Sequence, residues 1–326
     1  MKKFFIFINT LIILLFLASC YSNKIITTSL KPIYAMDTII YINFYNVDNA
    51  NANDYYDDIK NIYDTYDALS SDYDLKNASN VKTLNDDRSI IASDELIELL
   101  KIAVSYKNLT NGYYNPFIGR LSHLWKNAIK NKEVVGDEVI SSELEIMNST
   151  SIVFDGNIVS LVGDGNIDLG GIAKGYATKK VCEYLKSKNV NSYLINAGES
   201  SIALGSKNND NFKVALGKPY NSSNISVISA KNTSIGTSSG KNQNCVVDGV
   251  RYHHLLNPFT GRPANFYDNV NVLYDDPLLC DVYSTAIFAM DKDTAINFAN
   301  DLNFDILLYK DNEILYESQG FIDAKV

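Results

Sequence analysis

The sequence predicts an α+β fold. Three observations carry that expectation: helical and strand-like periodicities are mixed without a βαβ alternation, a β-hairpin signal sits in mid-chain, and the chain ends on two strand-like runs. There is no internal repeat and no long linker. An apolar share of 46% excludes wholesale disorder.

The elements follow in order. Residues 1–19 read as an export signal: Lys2 and Lys3 precede an apolar run from Phe4 to Leu17. That run is shorter than the roughly 20 residues a bilayer span requires. It ends in Leu-Ala-Ser-Cys, a lipoprotein cleavage pattern that makes Cys20 the lipidated residue and residues 20–31 a polar tether. An uncleaved anchor and a plain signal are the other readings. Residues 31–47 alternate apolar and polar and are rich in Ile and Tyr, as a strand or hairpin would be. Tyr55, Ile59, Ile62, Tyr63 and Tyr66 recur at helical spacing, and residues 72–93 look loop-like. A helix is expected over 93–112, with Ser93 as cap, Asp94 and Glu95 at its positive end and Gly112 past its last turn. Residues 115–125 begin as a Pro turn and enter a helix, and 131–150 read as a charged loop with room for a short helix. Asp155-Gly156 marks a hairpin over 151–162. Residues 165–190 give a strand end, a glycine pair and a helix; 191–198 is a strand, and short strands fill 199–256. A turn-rich loop covers 254–265, helices start near Asp281 and at 293, and the last two strands follow.

The net charge is −9, and loss of residues 1–19 with their two lysines moves it to −11. Such a chain has no electrostatic case for nucleic acid. An anion must be held by local devices: helix ends, backbone amides or a metal. With Cys20 lipidated, Cys182, Cys245 and Cys280 remain, too scattered for a disulfide framework or a zinc site. No P-loop, GxGxxG, GxSxG or HExxH pattern occurs.

Four places could carry chemistry. In IDLGGIAKG (167–175) paired glycines open a helix, flanked by Asp168 and Lys174; exposed amides there suit a pyrophosphate, though the same glycines also serve a plain tight turn. In CDVYSTA (280–286), Asp281 and Thr285 lie one helical turn apart, as oxygen ligands for Mg²⁺ would, or else Asp281 is an N-cap and Thr285 a bystander. His253 and His254 point to opposite faces of a strand, so at most one reaches a site, where it could hold an anion or move a proton; a surface or structural pair is the alternative. Finally Tyr113, Tyr114 and Trp125, with Met36 as companion, could stack on a flat ring or simply fill the core.

Taken together, AMDT (35–38), YYNPFIGRLSHLW (113–125), DLGGIAKGYATKKV (168–181), NAGES (196–200), GTSSG (236–240), HHLLNPFTGRPAN (253–265) and DVYSTAIFAM (281–290) resemble the ApbE family, the FAD:protein FMN transferases. The resemblance implies that residues 32–326 form one domain with a T-fold-like core and FAD in a central cleft. It implies Mg²⁺ held by the Gly171 carbonyl, Asp281 and Thr285. FAD contacts map onto Met36, Tyr113, Tyr114, Asn115, Asp168, Lys174, His254 and Leu255. The implied partner is an exported or membrane-bound acceptor whose Thr or Ser, in a D-x-x-[ST]-G-[AS]-T-like motif, takes FMN while AMP leaves. His254 is then the first candidate to accept the hydroxyl proton. Two departures stand out: Lys241, Asn242, Gln243 and Asn244 replace the family's acidic-aromatic-Arg stretch, and Asn115 stands where many members carry Asp. An FAD pyrophosphatase using water, and a flavin-binding lipoprotein without turnover, are the competing functions. The anchor places the protein at the cell membrane, facing away from the cytoplasm.

Overall fold

A computed structural model describes residues 26–73, 79–207 and 210–326. The signal segment and Cys20 therefore lie outside the described residues. In chain order the elements are β1 (Thr27–Ser29), β2 (Ile33–Ala35), β3 (Thr38–Tyr45), α1 (Asn49–Asp54), α2 (Tyr56–Ser70), α3 (Val81–Asp87), β4 (Ser89–Ile91), α4 (Asp94–Leu109), α5 (Gly119–Asn131), α6 (Asp137–Ser149), β5 (Ser151–Asp155) and β6 (Ile158–Val162). They continue with α7 (Ala173–Ser187), β7 (Tyr193–Ala197), β8 (Ser201–Leu204), β9 (Phe212–Gly217), β10 (Asn224–Ala230), β11 (Thr233–Ser239), β12 (Asn244–Val247), β13 (Val250–His253), β14 (Leu256–Asn257), β15 (Arg262–Pro263), β16 (Asn269–Tyr274), α8 (Pro277–Phe288), α9 (Lys292–Leu302), β17 (Asp305–Lys310), β18 (Glu313–Glu317) and α10 (Gln319–Ala324).

One antiparallel sheet organises the molecule, in the order β1-β3-β7-β8-β11-β16-β17-β18, with β2 also on β3. Both faces are covered. Ile306 and Leu308 of β17 join Val270, Val272, Tyr176, Val181 and Ile287 in the larger core, while Leu307 and Tyr309 join Phe212, Val214, Ile228 and Phe321 in a second. That is why Ile306 to Tyr309 is apolar at every position, where a half-solvated antiparallel strand would alternate. The α+β expectation holds.

Helices α7 and α8 lie side by side on the larger core, and glycines set their closeness. A Cβ at Gly175 would sit 2.5 Å from Asp281 Cβ, and one at Gly236 of β11 would sit 2.1 Å from the Cys280 carbonyl oxygen. Helix α4 begins as expected, with Ser93 Oγ accepting from Leu96 N at 3.3 Å.

Several boundaries differ from the sequence reading. Residues 27–29, read as tether, pair with β3 in register Thr27↔Tyr45, and Leu30 is buried. Residues 72–93 contain α3 and β4: Asn80 caps α3 by accepting from Thr83 N at 2.9 Å. The charged stretch 131–150 is largely α6, whose buried Ile140 and Met147 recur at helical spacing. Helix α8 starts at Pro277 rather than near Asp281, because Asp276 is its N-cap, accepting from Leu278 N at 2.9 Å. Pro fits the first helical turn, where its missing N–H has no partner to lose. Among the described residues, no helix is long and apolar enough to cross a membrane.

Candidate active site

The site forms where the glycine turn before α7 meets the middle of α8. Asp168 Oδ1 accepts from Gly170 N at 2.7 Å, closing a turn that its own side chain caps. Ile172 N and Ala173 N then bond to Leu169 O at 3.0 and 2.9 Å, which starts the helix. In a regular helix Gly175 N would reach back to Gly171 O. Here it donates to Asp281 Oδ2 at 2.7 Å instead, and among the described residues no backbone N–H donates to Gly171 O. Thr285 packs against Gly171 itself: a Cβ built on Gly171 would lie 3.2 Å from Thr285 Oγ1. Thr285 Oγ1 donates to Asp281 O at 3.1 Å, so its lone pairs stay available. Asp281 is in mid-helix with Asp276 as the cap, so its carboxylate is not spent on capping its own helix.

Gly171, Asp281 and Thr285 are thus brought together. Burial pushes the Asp281 carboxyl above the usual range, against the pull of Lys174 and the Gly175 N–H. A buried carboxylate of this kind is stabilised by a cation. Among the described residues no three His, Cys, Asp or Glu side chains cluster as a metal site. A carboxylate, a hydroxyl and a carbonyl nevertheless fit Mg²⁺, which takes few protein ligands and completes its shell with water and substrate oxygens.

Beside these oxygens lies a basic cluster in an otherwise acidic protein. Lys126 Nζ is 3.8 Å from Asp168 Oδ2 and 5.2 Å from the centre of the Tyr73 ring. Burial acts to raise the Asp168 carboxyl, but Lys126, Ser122 and the Gly170 N–H outweigh it and hold it low. His254 is pushed down to about 4, by burial first and then by the charges of Lys126 and Lys174, with the Asn242 backbone and Asp168 opposing. Its Nδ1 is buried and has no hydrogen-bond partner among the described residues. An uncharged imidazole in the field of two lysines can donate its N–H to an anion and, once the anion offsets the lysines, is a competent proton acceptor.

The neighbouring histidine does something else: β13 ends at His253, and His254 follows it in a bend, so the two part at the end of the strand rather than by alternation along it. His253 is buried edge-on against Phe288, with ring centres 5.4 Å apart, and its Nδ1 accepts from Leu255 N at 3.3 Å. Leu255 O accepts from Ala264 N at 2.9 Å, which fixes the loop beneath His254. Tyr114 is buried, its hydroxyl has no hydrogen-bond partner among the described residues, and burial together with the charges of Asp168 and Asp281 drives its pKa well up. Tyr113 meets Phe259 edge to face at 4.8 Å. Asn115 Oδ1 accepts from Phe117 N at 3.0 Å and so shapes the loop. Met36 (φ 56°) and Asp37 (φ 57°) form the left-handed turn between β2 and β3.

Trp125 is not a stacking platform. It is fully buried, stacked on Tyr252 at 5.6 Å, and its Nε1 donates to Gly261 O at 2.7 Å. The sequence reading also missed Lys126, Asp72 and His123. His123 Nε2 lies 2.6 Å from Asp72 Oδ2, and that carboxylate raises the imidazole's pKa despite partial burial. Only the position of Lys126, one residue past a quoted segment, hinted at its role. In the departing stretch, Asn244 Nδ2 donates to Lys241 O at 2.7 Å, and Lys241 Nζ is 3.7 Å from Glu199 Oε2, so the loop is held by one of its own bonds and by Glu199.

Comparison with known proteins matches the sequence model of the ApbE family to residues 36–308. A protein of Klebsiella pneumoniae (strain 342), named FAD:protein FMN transferase, is 28% identical over 207 residues, 62% of this chain and 64% of that one. A Treponema pallidum protein of the same name is 26% identical over 62% of this chain and 61% of its own length. The chain thus spans somewhat less than two thirds of these curated relatives. Among solved structures, the ApbE protein of Thermotoga maritima has a TM-score of 0.82 at 27% identity, covering 92% of this chain and all of that one. The flavin transferase ApbE of Vibrio cholerae, at 23% identity, shares the fold with a TM-score of 0.76 over 92% of this chain and 99% of its own. The chain belongs to the ApbE family.

Proposed function

We propose that this chain is an FAD:protein FMN transferase that moves the FMN part of FAD to a Thr or Ser hydroxyl of an acceptor protein. The observation that carries the reading is the Gly171 carbonyl, left without a backbone donor among the described residues because Gly175 N turns to Asp281, with Thr285 packed against Gly171. Curated relatives of the same family bear the name of this activity.

Lys126, Lys174 and the Gly170–Gly171 turn receive the pyrophosphate. The acceptor hydroxyl attacks the FMN phosphorus, a P–O ester bond forms, and the P–O bond to the AMP phosphate breaks. His254 takes the hydroxyl proton, and the electron pair of the broken bond leaves on AMP. Gly171, Asp281 and Thr285 would hold Mg²⁺, which offsets the negative charge gathering on the bridging and leaving oxygens. Most of the rate then comes from positioning and electrostatics. Met36, Tyr113, Tyr114, Asn115 and Leu255 shape the flavin side of the cleft.

Incubation with FAD, Mg²⁺ and an acceptor carrying D-x-x-[ST]-G-[AS]-T, followed by intact-mass measurement, tests the reading. It expects an acceptor heavier by one FMN and AMP in equal amount. AMP without modified acceptor assigns the chain to FAD hydrolysis, and neither product, beside a working control enzyme, refutes both. The location is part of the proposal: Cys20 anchors the protein outside the cytoplasm, and the short tether before Thr27 favours acceptors on the same membrane face. Release of a Cys20→Ser variant from the membrane fraction is the expected result, and its retention would refute the anchor.

A further inference from the structure

We propose that Asn85 is a positioning residue for this reaction, its carboxamide acting as a surrogate strand that holds the segment leading into the site. The inference rests on the functional reading above. Residues 163–168 carry the chain from β6 to Asp168 and belong to no strand; their regular pairing is a single bridge between Asn166 and Ile118. On that side Gly119 N donates to Asn166 O at 3.0 Å and Asp168 N to Pro116 O at 2.8 Å. Among the described residues the other side has no backbone neighbour of this kind. There Asn85 Oδ1 accepts from Ile167 N at 2.7 Å and Asn85 Nδ2 donates to Ile167 O at 2.9 Å. Both groups of one residue are paired by one side chain, as a strand would pair them.

The amide's orientation is set as well. Nδ2 also donates to Asp72 Oδ1 at 2.8 Å, and a flipped amide would turn its oxygen toward two acceptors. Asp72 is held in turn by His123. The same end of α3 supplies Arg88, which donates to Gly163 O and Asn166 Oδ1. Ile167 is fully buried and directly precedes Asp168, with the free Gly171 carbonyl four residues on, so any slack at Asn85 is passed to the atoms that meet the pyrophosphate and the metal. A misplacement near 1 Å costs about a hundredfold in rate.

The test compares Asn85→Ala with Thr150→Val, which removes the hydrogen bond to Gly165 N (2.8 Å) in the same segment but farther from the site. For Asn85→Ala the expected result is a loss of about a hundredfold in kcat, with KM for FAD raised by at least about tenfold, because the atoms that slip are those that meet the pyrophosphate and the metal. The rise in melting temperature given by Mg²⁺ plus FAD should also disappear. Thr150→Val should lower the melting temperature yet lose under about fivefold in kcat and keep the Mg²⁺/FAD rise. The proposal is overturned if Asn85→Ala keeps its kcat within threefold, if the two variants lose kcat in proportion to melting temperature, or if the Mg²⁺/FAD rise survives. If the unsubstituted chain transfers no flavin but shows a rise that Asn85→Ala removes, the functional reading fails and the positioning stands; no rise in the unsubstituted chain overturns the positioning too. Should Asn85→Ala not fold, the isosteric Asn85→Asp, which sets a carboxylate against Ile167 O and Asp72, takes its place, and failure of both to fold reduces Asn85 to a structural residue.

Discussion

Gly175→Ala opposes two effects of known size. In an open helix position the change stabilises by about 1 kcal/mol, since alanine is the better helix former. At Gly175 the added Cβ would meet Asp281 Cβ at 2.5 Å, the Pro277 carbonyl oxygen at 2.6 Å and Leu278 Cα at 3.0 Å. Two of the three are backbone atoms that cannot rotate away, so α7 and α8 must part. Overpacking of this kind costs roughly 3 kcal/mol or more, so steric repulsion wins and the net loss is about 2 kcal/mol. For a chain of this size that lowers Tm by roughly 3 °C. Parting the helices also stretches the bond from Gly175 N to Asp281 Oδ2, so flavin transfer should fall by at least about tenfold, one charge-assisted hydrogen bond's worth. Gly217→Ala, at a strand end where a Cβ meets nothing within 4 Å, is the control and should leave both unchanged or raise Tm slightly. Thermal melts and the mass assay read both numbers. A Gly175→Ala protein with unchanged Tm and activity would show that the two helices do not meet as described.

His253 and His254 are both held near 4 in the folded chain, chiefly by burial, below the ordinary value of 6.5. Between those values the unfolded chain binds more protons, so stability is complete above about pH 6.5 and is lost as pH falls toward 4, by up to roughly 3 kcal/mol for each residue. Urea melts across pH 4–7 should show that decline, and a His254→Gln variant should show about half of it; a flat profile would contradict the burial. Trp125→Phe deletes the bond to the buried Gly261 carbonyl and should cost about 1–3 kcal/mol while leaving FAD affinity within about twofold; loss of FAD binding in a folded protein would restore Trp125 as a ligand platform. Lys126→Ala should raise KM for FAD by about tenfold or more, the weight of one charge-assisted hydrogen bond, and should raise the pKa of His254 followed by NMR, since Lys126 helps to depress it.

Local chemistry was legible in the sequence and long-range chemistry was not. Ser93 with the acids after it announced α4, and the i, i+4 spacing of Asp281 and Thr285 placed both on one face of a helix. The two histidines did part, one to Phe288 and one toward Lys126 and Lys174, but not by strand alternation, because β13 ends at His253 and His254 follows in a bend. The start of α8 was misplaced because Asp281 also reads as a cap, and only the Leu278 N bond to Asp276 decides between them. Trp125 looked like a ring platform because its partner carbonyl, Gly261, is 136 residues away. Asn85 was hidden for the same reason: it sits in a polar stretch that reads as loop, and its two acceptor and donor partners belong to Ile167, 82 residues on.

The central claim is that Gly171, Asp281 and Thr285 hold the ion that flavin transfer needs. Its most direct test is intact-mass analysis of an acceptor bearing D-x-x-[ST]-G-[AS]-T after incubation with FAD and the Asp281→Asn protein over a range of Mg²⁺. The unsubstituted chain should add one FMN per acceptor in a Mg²⁺-dependent way. Asp281→Asn keeps the side chain's shape and an oxygen for Gly175 N, so it should fold, bind FAD and transfer at least about a hundredfold more slowly, with Mg²⁺ restoring little. Transfer by Asp281→Asn at the unsubstituted rate and the same Mg²⁺ dependence would contradict the account.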